Sequence, residues 1–238
     1  MILDDRKTYA PCNDVDIKYT RIGVEKQELV LVDSYMKGID TLRKDAEDRD
    51  NFAVSDSFYP GIRLDISEMY TTSLILNFRG IIKNIFGLDI RRIKKAVSKY
   101  SIVTLDPEKL SLMQRIPHID APSRESLAVV HYLCDSPNSG TSLYRHRNTN
   151  FEYLDRSRLK NYLREIEGKF DKPSAYPSGY ICGSTNEYEE IASYQAVRNR
   201  LLMYRGSSLH SGNIKPDYNF DPCPIKGRLT VTSFIEFS

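Results

Sequence analysis

The chain of 238 residues is 40% hydrophobic and 28% charged, a globular composition that excludes a disordered or low-complexity polypeptide. Its 34 basic and 32 acidic side chains leave a net charge of +2, so there is no general electrostatic case for nucleic acid or an anionic membrane as partner. No apolar run approaches the ~20 residues of a membrane-spanning helix, and residues 1–7 carry acids where a signal peptide carries positive charge. Four scattered cysteines (Cys12, Cys134, Cys182, Cys223) form no C-x-x-C pair. They suit reduced thiols, although a disulfide between two of them stays open. A soluble, cytoplasmic protein of one domain over residues 1–238 is expected.

In chain order, residues 29–35 read as a short strand, followed by an amphipathic helix over about 38–49 with Ile39, Leu42 and Ala46 on one face. Pro60-Gly61 marks a turn. A long helix is expected over about 68–86, with Leu74, Phe78, Ile81, Ile82 and Ile85 as its apolar stripe, and a second helix through Ile90, Ile93 and Val97. The basic stretch Arg91-Arg92-Ile93-Lys94-Lys95 is expected to be a solvated face of that helix.

From Tyr100 onward the texture changes to short strands separated by turn residues. Strands are expected at 101–105, 109–119, 126–134 and 141–147, then a helix over about 156–170 with Leu159, Tyr162, Leu163 and Ile166 facing inward. Residues 187–194 are ambiguous between strand and helix, and strands return at 199–204 and 228–237. The expected class is α+β, mainly β. Residues 1–99 would be a mixed support region and 100–238 a jelly-roll core carrying the inserted helix.

His118-Ile119-Asp120 ends one of these segments. On a strand, residues two apart point to the same face. His210 follows an apolar strand and a turn, ninety residues beyond Asp120. Two neutral imidazoles and one carboxylate form a facial set that suits Fe(II) and leaves other coordination positions open; zinc is the competitor for the same donors. Arg228 opens the last strand, with Thr230 two residues on and on the same face.

These motifs resemble the Fe(II)/2-oxoglutarate-dependent dioxygenases, in particular their prolyl-hydroxylase-like branch. The resemblance is carried by Val32-Asp33-Ser34-Tyr35 with its following helix, His118-Ile119-Asp120, the strand and turn from Asn199 to His210, and Arg228-Leu229-Thr230. Phe58-Tyr59-Pro60-Gly61, Tyr144-Arg145-His146-Arg147 and Leu209-His210-Ser211-Gly212 are also similar to a bacterial family within that superfamily. The resemblance implies a double-stranded β-helix braced by N-terminal helices. It also implies Fe(II) on His118, Asp120 and His210, with 2-oxoglutarate and O2 as cosubstrates. Arg228 would bind the far carboxylate of 2-oxoglutarate and Thr230 would add a hydroxyl. Eighteen residues separate His210 from Arg228, longer than the compact spacing usual in that branch, so Arg200 and Arg205 stand as alternatives.

His131, between Val129 and Leu133, reads as a packed structural histidine. Tyr144 or His146 would face the cosubstrate or substrate, and Tyr132 and Gln114 are further pocket candidates. Arg63, Arg145 and Arg147 would meet an acidic group or remain surface charges. G-x-S-x-G and both Gly-rich phosphate loops are absent, which removes a nucleophile-elbow hydrolase and a nucleotide-binding loop. Asp120 in place of Gly or Ala argues for hydroxylation over halogenation. The expected reaction is hydroxylation of a C–H bond in a peptide, amino acid or small natural product; the alternatives are a cupin-like metal isomerase and a non-catalytic jelly-roll binding protein.

Overall fold

The computed structural model describes residues 6–54, 58–168 and 176–238. The largely exposed β1 (Asp16–Ile22) and the apolar run of β2 (Gln27–Asp33) form a hairpin, with Gly23 in the turn at φ +69°. Helix α1 (Ile39–Glu47) buries the expected Ile39, Leu42 and Ala46. After β3 (Ala53–Val54) and β4 (Gly61–Asp65), the Ser67 hydroxyl accepts from the Met69 amide and starts α2 (Glu68–Asn84). Tyr70, Leu74, Phe78 and Ile82 form the buried stripe of α2, and Ile81 and Ile85 pack at its margin.

Two expected elements are corrected. The helix through Ile90, Ile93 and Val97 is instead a single 3-10 turn (Ile90–Arg92) leading into the long strand β5 (Ile93–Val103). Gly87 at φ +67° ends the preceding helix, and β5 is held on both sides by partner strands, so sheet pairing overrides the helical spacing. The expected strand over 109–119 is a 3-10 turn (Pro107–Lys109) and the short helix α3 (Leu112–Arg115). Ser111 and Gln114 make a reciprocal capping box there, a Ser-x-x-Gln signal that was legible in the sequence.

The remaining elements are β6 (Ser126–Tyr132), β7 (Ser136–His146), α4 (Arg156–Glu167), β8 (Tyr188–Ala196), β9 (Leu201–Arg205), β10 (His210–Ile214) and β11 (Leu229–Phe237). Residues 169 and 170 of the expected inserted helix lie outside the described residues. The ambiguous segment at 187–194 is strand.

Among the described residues, eight strands pair in the order β1-β2-β9-β6-β11-β5-β4-β3 and three in the order β10-β7-β8. One face of the larger sheet, carrying Val30, Val32, Leu127, Val129, Leu201, Met203, Val231 and Ile235, packs on α1 and α2. The N-terminal helices thus brace the sheet as expected. The other face carries Leu29, Ala128, Tyr132, Leu202 and Tyr204 and meets Leu143 of the smaller sheet. This is a mainly β, double-stranded β-helix arrangement, with a cavity of about 580 Å³ between the two sheets. No described helix is long and apolar enough to cross a membrane, and all four cysteines are free thiols.

His131 lies on the helix-facing side and is fully buried. The Tyr70 hydroxyl reaches its Nδ1 and the Asn199 Oδ1 its Nε2, both at 3.1 Å, and the Asn199 Nδ2 donates to the Met36 carbonyl. Asn199 Oδ1 can only accept, so the imidazole carries its proton on Nε2 and is satisfied while neutral. Burial pushes its pKa down to about 4. An unfolded chain takes up this proton near the ordinary value of about 6.5, so stability is complete above that pH and falls as pH drops towards the folded pKa. The slope is about 1.4 kcal/mol per pH unit. Denaturant unfolding at pH 7 and pH 5 is therefore expected to differ by about 2 kcal/mol from this group. His131→Gln is expected to narrow the difference by that amount; an unchanged difference contradicts the assignment.

Candidate metal centre

The segment after α3 holds little regular structure, yet its backbone is fixed at three points. The His118 amide donates to the His210 carbonyl at 2.8 Å, and the His210 amide donates back to the His118 carbonyl at 2.9 Å. This isolated antiparallel bridge sets the two imidazoles side by side, 4.4 Å between ring centres. Two residues on, the amides of Asp120 and Ala121 both donate to the Gly206 carbonyl, at 2.8 and 3.2 Å. Gly206 allows the close approach: a Cβ there would meet Ser126 Oγ at 2.7 Å and Asp120 Cβ at 3.6 Å.

One ligand atom from each of His118, Asp120 and His210 lies within 4.8 Å of the other two, so the structure brings together the three residues expected from sequence. The His210 Nδ1 donates to the Ser208 carbonyl at 2.9 Å, which leaves the Nε2 lone pair aimed inward, 3.5 Å from Asp120 Oδ2. His118 and Asp120 line the cavity and are exposed to it, whereas His210 is buried. Burial pushes the His118 pKa down to about 3, with His210 and Arg63 adding to the effect, so its imidazole is neutral and available as a ligand. Burial raises the Asp120 carboxyl, opposed by His210 and Arg63. A divalent cation among these three groups reverses that penalty. Two imidazole nitrogens and one carboxylate, packed this closely and open to a cavity, fit such an ion.

Arg228 lines the same cavity and is 4% exposed. It reaches across to the smaller sheet, donating from Nη2 to the Gly140 carbonyl at 2.8 Å, and its guanidinium lies 5.3 Å from the centre of the Tyr132 ring. Its Nε has no partner, and it forms no ion pair with a carboxylate among the described residues. A buried cation without an acidic partner is costly unless a bound anion completes it. The alternative arginines are committed elsewhere. Arg200 makes a two-pronged ion pair with Asp33 at 2.6 and 3.0 Å. Arg205 bonds Glu28 at 3.2 Å and the Phe86 carbonyl at 2.8 Å. The 215–226 segment absorbs the long His210-to-Arg228 spacing outside the two strands, with the Tyr218 hydroxyl accepting from the Arg228 amide at 2.7 Å.

The other expected residues divide between the cavity and the rest of the fold. Tyr144 does not face the cavity. Strand alternation turns Leu143, the register partner of His210, inward and Tyr144 outward, into an apolar cluster with Ile116, Leu154, Tyr162 and Leu209. His146 shares that outward face, beside Tyr162 and Tyr188. Thr230 lies on the face of β11 that Arg228 begins, but it is fully buried and donates its hydroxyl to the Ser101 carbonyl at 3.2 Å. Arg145 pairs with Glu152 and Glu189, and Arg147 bonds the Thr185 carbonyl, while Arg63 lines the cavity beside the Tyr59 ring. Gln114 also lines the cavity and donates to the Phe58 carbonyl.

Sequence reasoning missed Thr141 and Tyr204, which line the cavity. Thr141 shares a 2.6 Å hydrogen bond with the Tyr132 hydroxyl. The Tyr204 ring lies 4.9 Å from that of His210, and burial keeps its hydroxyl protonated. The inward position of Thr141 follows from alternation once Leu143 is known to oppose His210. Tyr204 sits in a wholly apolar run and carried no such signal.

Solved structures share the fold at low identity. The non-heme alpha-ketoglutarate-dependent carbocyclase SnoK from nogalamycin biosynthesis superposes with a TM-score of 0.52 at 10% identity, over 90% of this chain and 81% of that one. The non-heme alpha-ketoglutarate-dependent epimerase SnoN from the same biosynthesis gives 0.50 at 11%, over 90% and 79%. SnoN in complex with Fe3+, alpha-ketoglutarate and nogalamycin RO gives 0.50 at 10%, over 90% and 80%. The chain therefore shares the fold of these proteins, a double-stranded β-helix. No curated protein matches the chain. The family of unknown function DUF6445 matches residues 13–235, and the chain belongs to that family.

Proposed function

We propose that the protein is an Fe(II)- and 2-oxoglutarate-dependent dioxygenase that hydroxylates a C–H bond of a small-molecule or peptide substrate. The observation that carries this reading is one cavity holding both a His-Asp-His donor set and a buried arginine with no acidic partner. A metal site alone would suit an isomerase or a binding protein equally well. The arginine adds a receptor for a carboxylate, which a 2-oxo diacid supplies while its other end chelates the metal.

His118, Asp120 and His210 would hold the ion through Nε2 of His210, an imidazole nitrogen of His118 and a carboxylate oxygen of Asp120. Iron bound there with 2-oxoglutarate supplies activation of O2: one oxygen atom enters succinate as CO2 is lost, and the other enters the product as a hydroxyl group. The protein's own groups provide the placement. Neutral His118 needs no proton removed before it can bind the ion. Arg228 would take the far carboxylate of 2-oxoglutarate, with the neighbouring Thr141 and Tyr204 hydroxyls facing the same space. Apolar side chains of Ile119, Leu159, Leu163, Val130 and Phe234 line the cavity and exclude water from the reacting centre.

Asp120→Ala and His118→Ala are each expected to reduce succinate formation from 2-oxoglutarate at least 100-fold and to weaken uptake of Co(II) by the metal-free protein, followed by its visible absorption. Wild-type turnover in either variant would refute the donor set. Replacing Arg228 with Gln removes a charge-assisted carboxylate contact worth about 2–3 kcal/mol. The Kd for 2-oxoglutarate is then expected to rise roughly 30- to 150-fold with Co(II) binding unchanged. An unaltered Kd places the cosubstrate carboxylate elsewhere.

A further inference from the structure

The cavity continues past the metal centre along the inner face of the larger sheet, and its far end carries chemistry that the reading above does not use. Inward residues of β11 recur at every second position, so Phe234 lies one step beyond Thr232 and Glu236 two steps. Val97 and Ala128 flank Phe234 in register and make an apolar floor. Lys95 and Ser126 flank Glu236, and all three line the cavity. Ser126 Oγ and Asp120 Cβ both border the vacant Cβ position of Gly206, so this row begins beneath the carboxylate ligand. Glu236 is one strand and Lys95 two strands away from Ser126, ~5 and ~10 Å at the ordinary strand spacing.

Lys95 and Glu236 are direct cross-strand partners of opposite charge, an arrangement that ordinarily closes into an ion pair. Here neither forms an ion pair or a side-chain hydrogen bond among the described residues, and both are exposed. Of the basic residues in the stretch Arg91-Arg92-Ile93-Lys94-Lys95, Lys95 is the one that lines the cavity. A lone cation selects an anion and a lone carboxylate selects an amine. A cation and a carboxylate held side by side by sheet register select a molecule that carries both charges on neighbouring atoms.

We propose that the substrate, on the oxygenase reading above, is a free α-amino acid with an apolar side chain. Its ammonium group would pair with Glu236 and its carboxylate with Lys95, and its side chain would lie on the floor of Val97, Ala128 and Phe234, pointing at the triad. The ~5 and ~10 Å from Ser126, beneath the carboxylate ligand, to Glu236 and Lys95 match the length of an aliphatic or aromatic side chain. A residue within a peptide carries neither charge and would leave both groups unpaired.

The test is calorimetric titration of the protein loaded with Ni(II) and 2-oxoglutarate, using L-leucine, L-norleucine and L-phenylalanine together with their N-acetyl and carboxamide derivatives. At least one free acid is expected to bind, and blocking either end is expected to weaken it tenfold or more. Glu236→Gln should abolish the penalty for N-acetylation and keep that for amidation; Lys95→Gln should do the reverse. If 2-oxoglutarate binds but the free acids do not bind at millimolar concentration, or bind no better than the blocked forms, this proposal fails and the oxygenase reading stands. If 2-oxoglutarate itself does not bind, the oxygenase reading fails. The same titration of the metal-free protein then decides the amino-acid site: discrimination between free and blocked forms keeps it, and none removes it.

Discussion

The paired backbone hydrogen bonds between His118 and His210 are the contact on which the site depends. The stretch after α3 belongs to no strand ladder, so its path is set by these two bonds and by the pair from Asp120 and Ala121 to the Gly206 carbonyl. The first pair ties it to β10 in the smaller sheet, and the second to the turn after β9 in the larger one. Three donor atoms therefore converge because one short segment is stitched to both layers of the fold. The Pro117 carbonyl accepts from the Tyr162 hydroxyl at 3.3 Å, so α4 adds a further hold on the residue next to His118. Local strand geometry alone would place His118 and Asp120 on one face; only the cross-sheet stitching delivers His210 to them.

Charge then decides what the cavity accepts. Its inner end presents a neutral imidazole, a carboxyl group whose ionisation is penalised by burial and a guanidinium without an acidic partner. The last two are unfavourable alone and favourable beside a ligand: a divalent cation favours the ionised carboxylate, and an anion satisfies the guanidinium. The uncompensated desolvation at this end contrasts with the rest of the molecule. Arg145 with Glu152, and Arg200 with Asp33, are closed pairs in which cation and carboxylate neutralise each other.

Much of this was legible in the sequence because it rests on periodicity. Ile39, Leu42 and Ala46, or Leu74, Phe78 and Ile82, repeat at helical spacing and bury that face wherever the helix docks. His-x-Asp reports a shared face directly, and the distal histidine after an apolar strand was identifiable from order alone. The failures have a common cause, which is that register is non-local. Tyr144 was placed on the wrong side because the sequence does not state that Leu143 opposes His210, and one step along a strand reverses the face. Ile90, Ile93 and Val97 fit a helix until β5 is seen between two partner strands. The capping box at Ser111 and Gln114 was the exception: a local signal that would have replaced the expected strand by the short helix.

The contact between Arg228 and Gly140 joins the cavity's inner end to the way the sheets pack. Gly140 sits where β7 shifts register against β8, and a Cβ at that position would lie 2.2 Å from the Tyr194 carbonyl oxygen. Only glycine lets the two strands close here, and the closure turns the Gly140 carbonyl towards the larger sheet, where Arg228 Nη2 donates to it. The hydrogen bond between Tyr132 and Thr141 crosses the same gap one residue further on. Both links lie between sheets whose remaining contacts in that region are apolar and therefore non-directional. They fix the orientation of the guanidinium, so the arginine can meet a carboxylate without first losing side-chain freedom. The long segment between His210 and Arg228 contributes to the same end: its Tyr218 hydroxyl accepts from the Arg228 amide and holds the start of β11 in place.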